Sequence, residues 1–117
     1  MKLKINGLIW DLSFVSKEEI DGCYGLTKFS TLEIKIATNL HRDVVRTTIT
    51  HELVHAYLES FGYTVPSTES SLMFSEEQVC DFIAMNVESL MTDSKKVFLV
   101  YLGKYVYNKD EVSKWLK

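Results

Sequence analysis

The run His51-Glu52-Leu53-Val54-His55 constrains this chain more than any other feature. It lies in a stretch of helical periodicity: Val44, Val45, Thr48, Ile49, Leu53, Ala56 and Tyr57 recur at three- and four-residue intervals. Side chains four apart on a helix project from one face, one turn apart. The two imidazoles are therefore expected to reach a single metal ion, Zn²⁺ being the ion this spacing suits. Glu52, beside the first histidine, is then placed as general base for an activated water. The pattern predicts zinc hydrolase chemistry, with peptide bonds as the expected substrate.

Elements on either side predict an α+β domain. Asn6-Gly7 between two apolar runs signals a β-hairpin. Residues 8–15 alternate as a strand with Leu8, Trp10, Leu12 and Phe14 on one face. Ser16 to Asp21 suits a helical turn, and Gly22 and Gly25 are expected to bracket a turn. A second strand pair is expected over 26–30 and 31–38, with Leu32, Ile34 and Ile36 alternating and a sheet edge as its place. The helix carrying the histidines is expected over 41–60, capped by Asn39 or Asp43 and stopped at Gly62. Residues 62–74 hold the only proline and read as a loop. Ser75 with Gln78 forms a capping box opening a second helix. A third helix is expected from about Ser94 to Tyr107. Strands first and helices after is the order of an α+β fold, here an N-terminal antiparallel sheet followed by the histidine helix and two to three more.

At 117 residues the chain is expected to be one domain, spanning 1–117. A net charge of −3 argues against a dedicated nucleic-acid binder, and no direct nucleic-acid contact is expected. No apolar run approaches the length of a membrane span, and the N-terminus lacks a signal-peptide pattern. Two cysteines, Cys23 and Cys80, make no disulfide framework. A cytoplasmic protein with reduced thiols is the expectation.

A catalytic zinc takes three protein ligands and leaves a fourth position open. A third histidine in the pattern His-Glu-x-x-His-x-x-Gly-x-x-His is ruled out, because Leu58 and Phe61 occupy the Gly and last His positions. Glu59 shares the helix of the histidines, but three ligands on one straight helix rarely surround a tetrahedral ion. The stronger candidate lies in Glu76-Glu77-Gln78-Val79-Cys80-Asp81. Glu77 and Asp81 are four apart and share a face; Glu76 lies about 100° around the helix.

The arrangement His-Glu-x-x-His followed by Glu-x-x-x-Asp resembles the gluzincin metallopeptidases. That resemblance implies Glu77 as the third metal ligand. It implies Asp81 as the residue that accepts a hydrogen bond from a ligand histidine and orients it. Gly25-Leu26-Thr27, Glu33-Ile34-Lys35-Ile36, Thr47 to Ala56, and Glu77 with Asp81-Phe82-x-Ala84 together look like the ImmA/IrrE-type metallopeptidases, small zincins of phages and mobile elements. The resemblance covers roughly residues 22–90. Cys80 stands where that family usually has alanine, and the residues after Phe82 depart from its usual order.

The resemblance implies a zinc metalloendopeptidase acting on a protein or peptide substrate, with a separate transcriptional repressor as the substrate the family suggests. Strand residues Glu33, Ile34, Lys35 and Ile36 would line the cleft and pair with an extended substrate. Two rivals are a catalytically silent zincin-fold binding module and a SprT-like protease. Retention of Glu52 argues against the first, and the acidic balance against the second. His41 reads as a surface or capping residue and Cys80 as a small apolar side chain. Tyr24, Tyr57 and Tyr63 are the candidates for stabilising an oxyanion, Tyr57 reading mainly as core.

Overall fold

The computed structural model describes residues 1–63 and 75–105. Strands β1 (Lys2–Ile5), β2 (Leu8–Val15), β3 (Gly25–Lys28) and β4 (Glu33–Ala37) form one sheet, followed by helices α1 (Arg42–Ser60) and α2 (Glu76–Tyr105). This is a small α+β domain with the sheet first and the helices after. No helix among the described residues is long and apolar enough to cross a membrane.

The hairpin forms where Asn6-Gly7 places it. Both residues have positive φ, 48° and 82°, as a two-residue turn matched to strand twist requires. The β1–β2 register runs from Lys2↔Asp11 to Ile5↔Leu8. Leu3, Ile5, Trp10 and Leu12 fall on one face and are buried.

The sheet order is β1-β2-β4-β3. β4 is therefore central, parallel to β2 and antiparallel to β3. Two expectations are corrected by this. The sheet is mixed, not antiparallel throughout, and Glu33, Ile34, Lys35 and Ile36 lie in its interior with both strand edges already paired. Ile34 and Ile36 are fully buried, so their alternation reflects a core strand. The outer strand is β3. Gly25 begins that strand and does not close a turn; the connection to β4 is a short 3₁₀ turn at Phe29–Thr31 with Leu32 in the left-handed region.

α1 lies across one face of the sheet, with Val45, Ile49, Leu53 and Ala56 in the same buried cluster as Trp10, Leu12, Ile34 and Ile36. Its N-cap is His41, whose Nδ1 accepts from the Asp43 N–H at 3.3 Å, in place of Asn39 or Asp43. Its C-terminus closes as a Schellman motif: Tyr63 N–H donates to Leu58 C=O and Gly62 N–H to Glu59 C=O, with Gly62 at φ 82°. The indole N–H of Trp10 donates to the Ser60 hydroxyl at 2.8 Å, and Asn6 Nδ2 to the Ser60 carbonyl at 2.9 Å. Hairpin and helix end are thereby joined.

α2 starts at the expected capping box. Gln78 N–H donates to Ser75 Oγ at 3.2 Å, and Ser75 N–H to Gln78 Oε1 at 2.9 Å. It then continues unbroken for 30 residues, so the expected second and third helices are one, and among the described residues a single helix follows α1. The polar stretch that resembles a helix start at 93–94 serves another purpose. Ser94 Oγ bonds Thr50 Oγ1 at 2.7 Å, and Asp93 accepts from the Tyr57 hydroxyl at 2.6 Å. Both pin α2 to α1. The helices run antiparallel, with Ser94 level with Thr50 and the Phe82 ring against Tyr63, 5.4 Å between centroids. The later half of α2 also reaches the sheet, where Phe14 meets Tyr101 and Tyr105 edge-on.

Candidate metal centre

α1 places His51 and His55 side by side, as the four-residue spacing requires. Their Nε2 atoms are 3.2 Å apart and the rings stand at 76°. Two nitrogens bound tetrahedrally to one Zn²⁺ at 2.0–2.1 Å would be separated by about 3.3 Å. The pair thus has the bite of two corners of such a site, and both imidazoles are open to solvent.

Unlike the two histidines, Glu52 is buried, facing β3. The Thr27 hydroxyl lies 2.6 Å from Glu52 Oε1 and donates to it. It also lies 3.1 Å from the Glu52 backbone carbonyl. The other carboxylate oxygen, Oε2, is 3.9 Å from His51 Nε2. One oxygen is anchored to the sheet and the other is directed to the histidine side. Gly25 makes this approach possible. A Cβ there would sit 2.7 Å from Glu52 Cγ and 2.9 Å from Thr48 Cγ2, inside van der Waals contact. Gly25 and Thr27 are alternate residues of β3, so they present the same face to α1.

A cleft of about 300 Å³ opens between β3 and α1, lined by Tyr24, Gly25, Thr47, Thr48, His51 and Glu52. On the other flank of the histidines is an apolar hollow of about 370 Å³ between α1 and α2, whose walls include Val54, Leu58, Phe82, Ile83 and Leu90. The three tyrosines separate clearly. Tyr57 is buried and bonded to Asp93. Burial foremost, then the hydrogen bond to Asp93 and its charge, hold the phenol well above the usual tyrosine range. Tyr63 packs on Phe82. Tyr24 alone of the three lines the cleft beside Glu52, half-exposed, with Lys17 Nζ 4.9 Å from its ring centroid.

Glu77 and Asp81 are not brought to the histidines. Both are exposed. Among the described residues no group of three or more His, Cys, Asp or Glu side chains could hold a metal ion. The reason is the continuity of α2. Phe82 is already level with Tyr63, beyond the end of α1. Glu77 lies about 20 Å further along the α2 axis than Leu90, at 1.5 Å per residue. The four-residue spacing to Asp81 fixes a shared face of α2, but that face points away from α1. Glu76 is exposed on the same first turn. The residues that do build the site from outside the motif are Gly25, Thr27 and Tyr24. Their sequence signal is a glycine and a threonine alternating on a strand ahead of the helix.

Comparison with known proteins finds no matching family model, no matching curated protein and no matching solved structure.

Proposed function

We propose that this chain is a zinc-dependent metalloendopeptidase of the small zincin type, acting on a protein or peptide partner. The observation that carries the reading is the 3.2 Å separation of two open imidazoles beside a buried, sheet-anchored Glu52. His51 and His55 would supply two of the metal's three protein ligands; no third His, Cys, Asp or Glu meets them among the described residues, and Glu77 as the third rests on the motif resemblance. A zinc ion bound there supplies Lewis acidity, which makes water a usable nucleophile at neutral pH and polarises the scissile carbonyl.

The chain's own residues do the rest. Glu52, held at Oε1 by Thr27, keeps Oε2 toward the histidines to take a proton from the attacking water and pass it to the leaving amine. The substrate would lie along β3. Tyr24 C=O accepts from Ala37 N–H. Antiparallel alternation from that pair turns the N–H and C=O groups of Gly25 and Thr27 outward. An extended peptide can pair with them within reach of Glu52. β3 thus replaces β4 as the strand proposed to bind substrate. Tyr24 lines the same cleft and would be the phenol that donates to an oxyanion. Assignment to the ImmA/IrrE-type family, and a repressor as the substrate, rest on the motif resemblance alone.

Metal content by elemental analysis tests the reading. About one zinc per chain is expected in the wild type, retained in Glu52→Gln and lost in His51→Ala and His55→Ala. Wild-type protein that takes up no zinc when supplied with it would sink the proposal. Glu77→Gln separates this geometry from the family pattern. Zinc retained leaves the histidine pair as the anchor; zinc lost makes Glu77 a ligand and requires the start of α2 to move onto the site. Glu76→Gln serves as its control.

A further inference from the structure

The face of α2 opposite its buried residues carries an ordered pattern of its own, with Thr92 and Lys95 also on the rim of a hollow shared with Arg46 and Thr50 of α1. Asp81, Met85, Glu88, Thr92, Lys95 and Leu99 are spaced alternately four and three apart, so they form one straight stripe about five turns long. All six are exposed. The stripe lies opposite Leu90, Val97 and Tyr101, which are buried. Its apolar members are unusually open: Met85 is 67% exposed and Leu99 44%, with Met91 beside them at 54%. Its charges are segregated. Glu77, Asp81 and Glu88 lie in the first half, Lys95 and Lys96 in the second. Glu88 and Lys95 have no charged residue three or four positions away on their own helix. Neither makes an ion pair among the described residues.

We propose that this stripe is a dimer interface, and that its occupant is the α2 of a second copy of this chain, packed antiparallel about a twofold axis at Thr92. That register sets Met85 against the partner's Leu99 and Glu88 against the partner's Lys95 and Lys96. Symmetry repeats both contacts, as an isologous interface requires. The threonine at the axis is small enough to let the helices approach. Parallel pairing would instead stack Glu88 on the partner's Glu88 and Lys95 on the partner's Lys95, so the charge order selects direction. A five-turn helix contact is smaller than the ~800 Å² per partner of tight complexes, so a micromolar dissociation constant is expected. The inference does not depend on the metal or on any activity.

Sedimentation equilibrium of the full chain, from about 5 to 200 μM at about 50 mM salt, reads it directly. A concentration-dependent species of twice the 13.5 kDa chain mass is expected. Glu88→Lys and Lys95→Glu should each raise the dissociation constant about tenfold or more. Mixed in equal amounts they should recover a heterodimer, because each then meets opposite charge on its partner. Leu99→Asp should abolish association with neither charge altered. A wild type monomeric across the range would overturn the proposal. So would a dimer indifferent to all three substitutions, or charge variants whose mixture stays monomeric.

Discussion

The two flanks of α1 are built to different standards of closure. On the β3 side, Glu52 is buried, hydrogen-bonded by Thr27 and packed so tightly that position 25 has no room for a methyl group. On the α2 side, the first half of the partner helix meets α1 across an apolar hollow, and Ile83 and Val87 remain half-exposed. The same helix thus has one side where the protein fixes a charged group and one where apolar surface stays accessible. The contrast teaches that precision was placed at the carboxylate, where a small displacement would break the Thr27 hydrogen bond to a buried oxygen. Looseness was left where shape alone is at stake.

Substitutions on the two flanks should therefore differ in cost. Gly25→Ala is expected to have the largest effect, about 2–3 kcal/mol in urea unfolding, because overpacking against Glu52 and Thr48 cannot be relieved by an exposed side chain. A cost under about 0.5 kcal/mol would show that β3 can lift away from α1, and the closed side would be closed no longer. Thr27→Val should cost about 1–2 kcal/mol by leaving the buried Glu52 oxygen without its donor, while Thr27→Ser should recover most of that loss.

Tyr57→Phe comes next, at about 1 kcal/mol near neutral pH, for the lost bond to Asp93. Its pH dependence has a definite sign. Tyr57 titrates higher in the folded chain than in the unfolded one, so its contribution is complete below about pH 10 and declines above it. The wild-type advantage over Tyr57→Phe should shrink by up to about 1.4 kcal/mol per pH unit beyond that point. An advantage that stays constant to pH 11 would contradict the buried hydroxyl. The smallest effect belongs to the open flank. Ile83→Ala should change stability by less than about 0.5 kcal/mol. A loss of 2 kcal/mol or more there would mean the hollow is filled in solution.

Local signals in the sequence carried a good deal of this. Asn6-Gly7, the alternation of residues 8–15, Gly62 and the Ser75–Gln78 box each act through neighbouring backbone, and each element forms at the position its signal names. The three-dimensional neighbours of the same residues were less legible. Leu32-Glu33-Ile34-Lys35-Ile36 alternates like an edge strand, yet it is central, paired on both sides; the alternation arises because Glu33 and Lys35 reach a partly open face of the sheet. Asp93 and Ser94 resemble a helix start, but their partners are Tyr57 and Thr50, some forty residues back. The candidate site divides the same way. His51, Glu52 and His55 meet because four residues make a turn. Glu77 was placed by its spacing to Asp81, which says nothing about how far along α1 the second helix docks. Gly25 reads as a turn residue until the carboxylate beside it is seen.

The central position of β4 has a consequence in time. A chain emerging from the ribosome can form the β1–β2 hairpin as soon as residue 15 is free. β3 then follows with no strand beside it, because its neighbour has yet to be made. The strand synthesised last is the one that fills the middle. Until residue 37 is released the sheet is a lone hairpin, which by itself is marginally stable in water. Arrival of β4 supplies both missing pairings together, and α1, next in the chain, then finds a completed surface to cover. Assembly of this domain should therefore proceed as one late step rather than strand by strand.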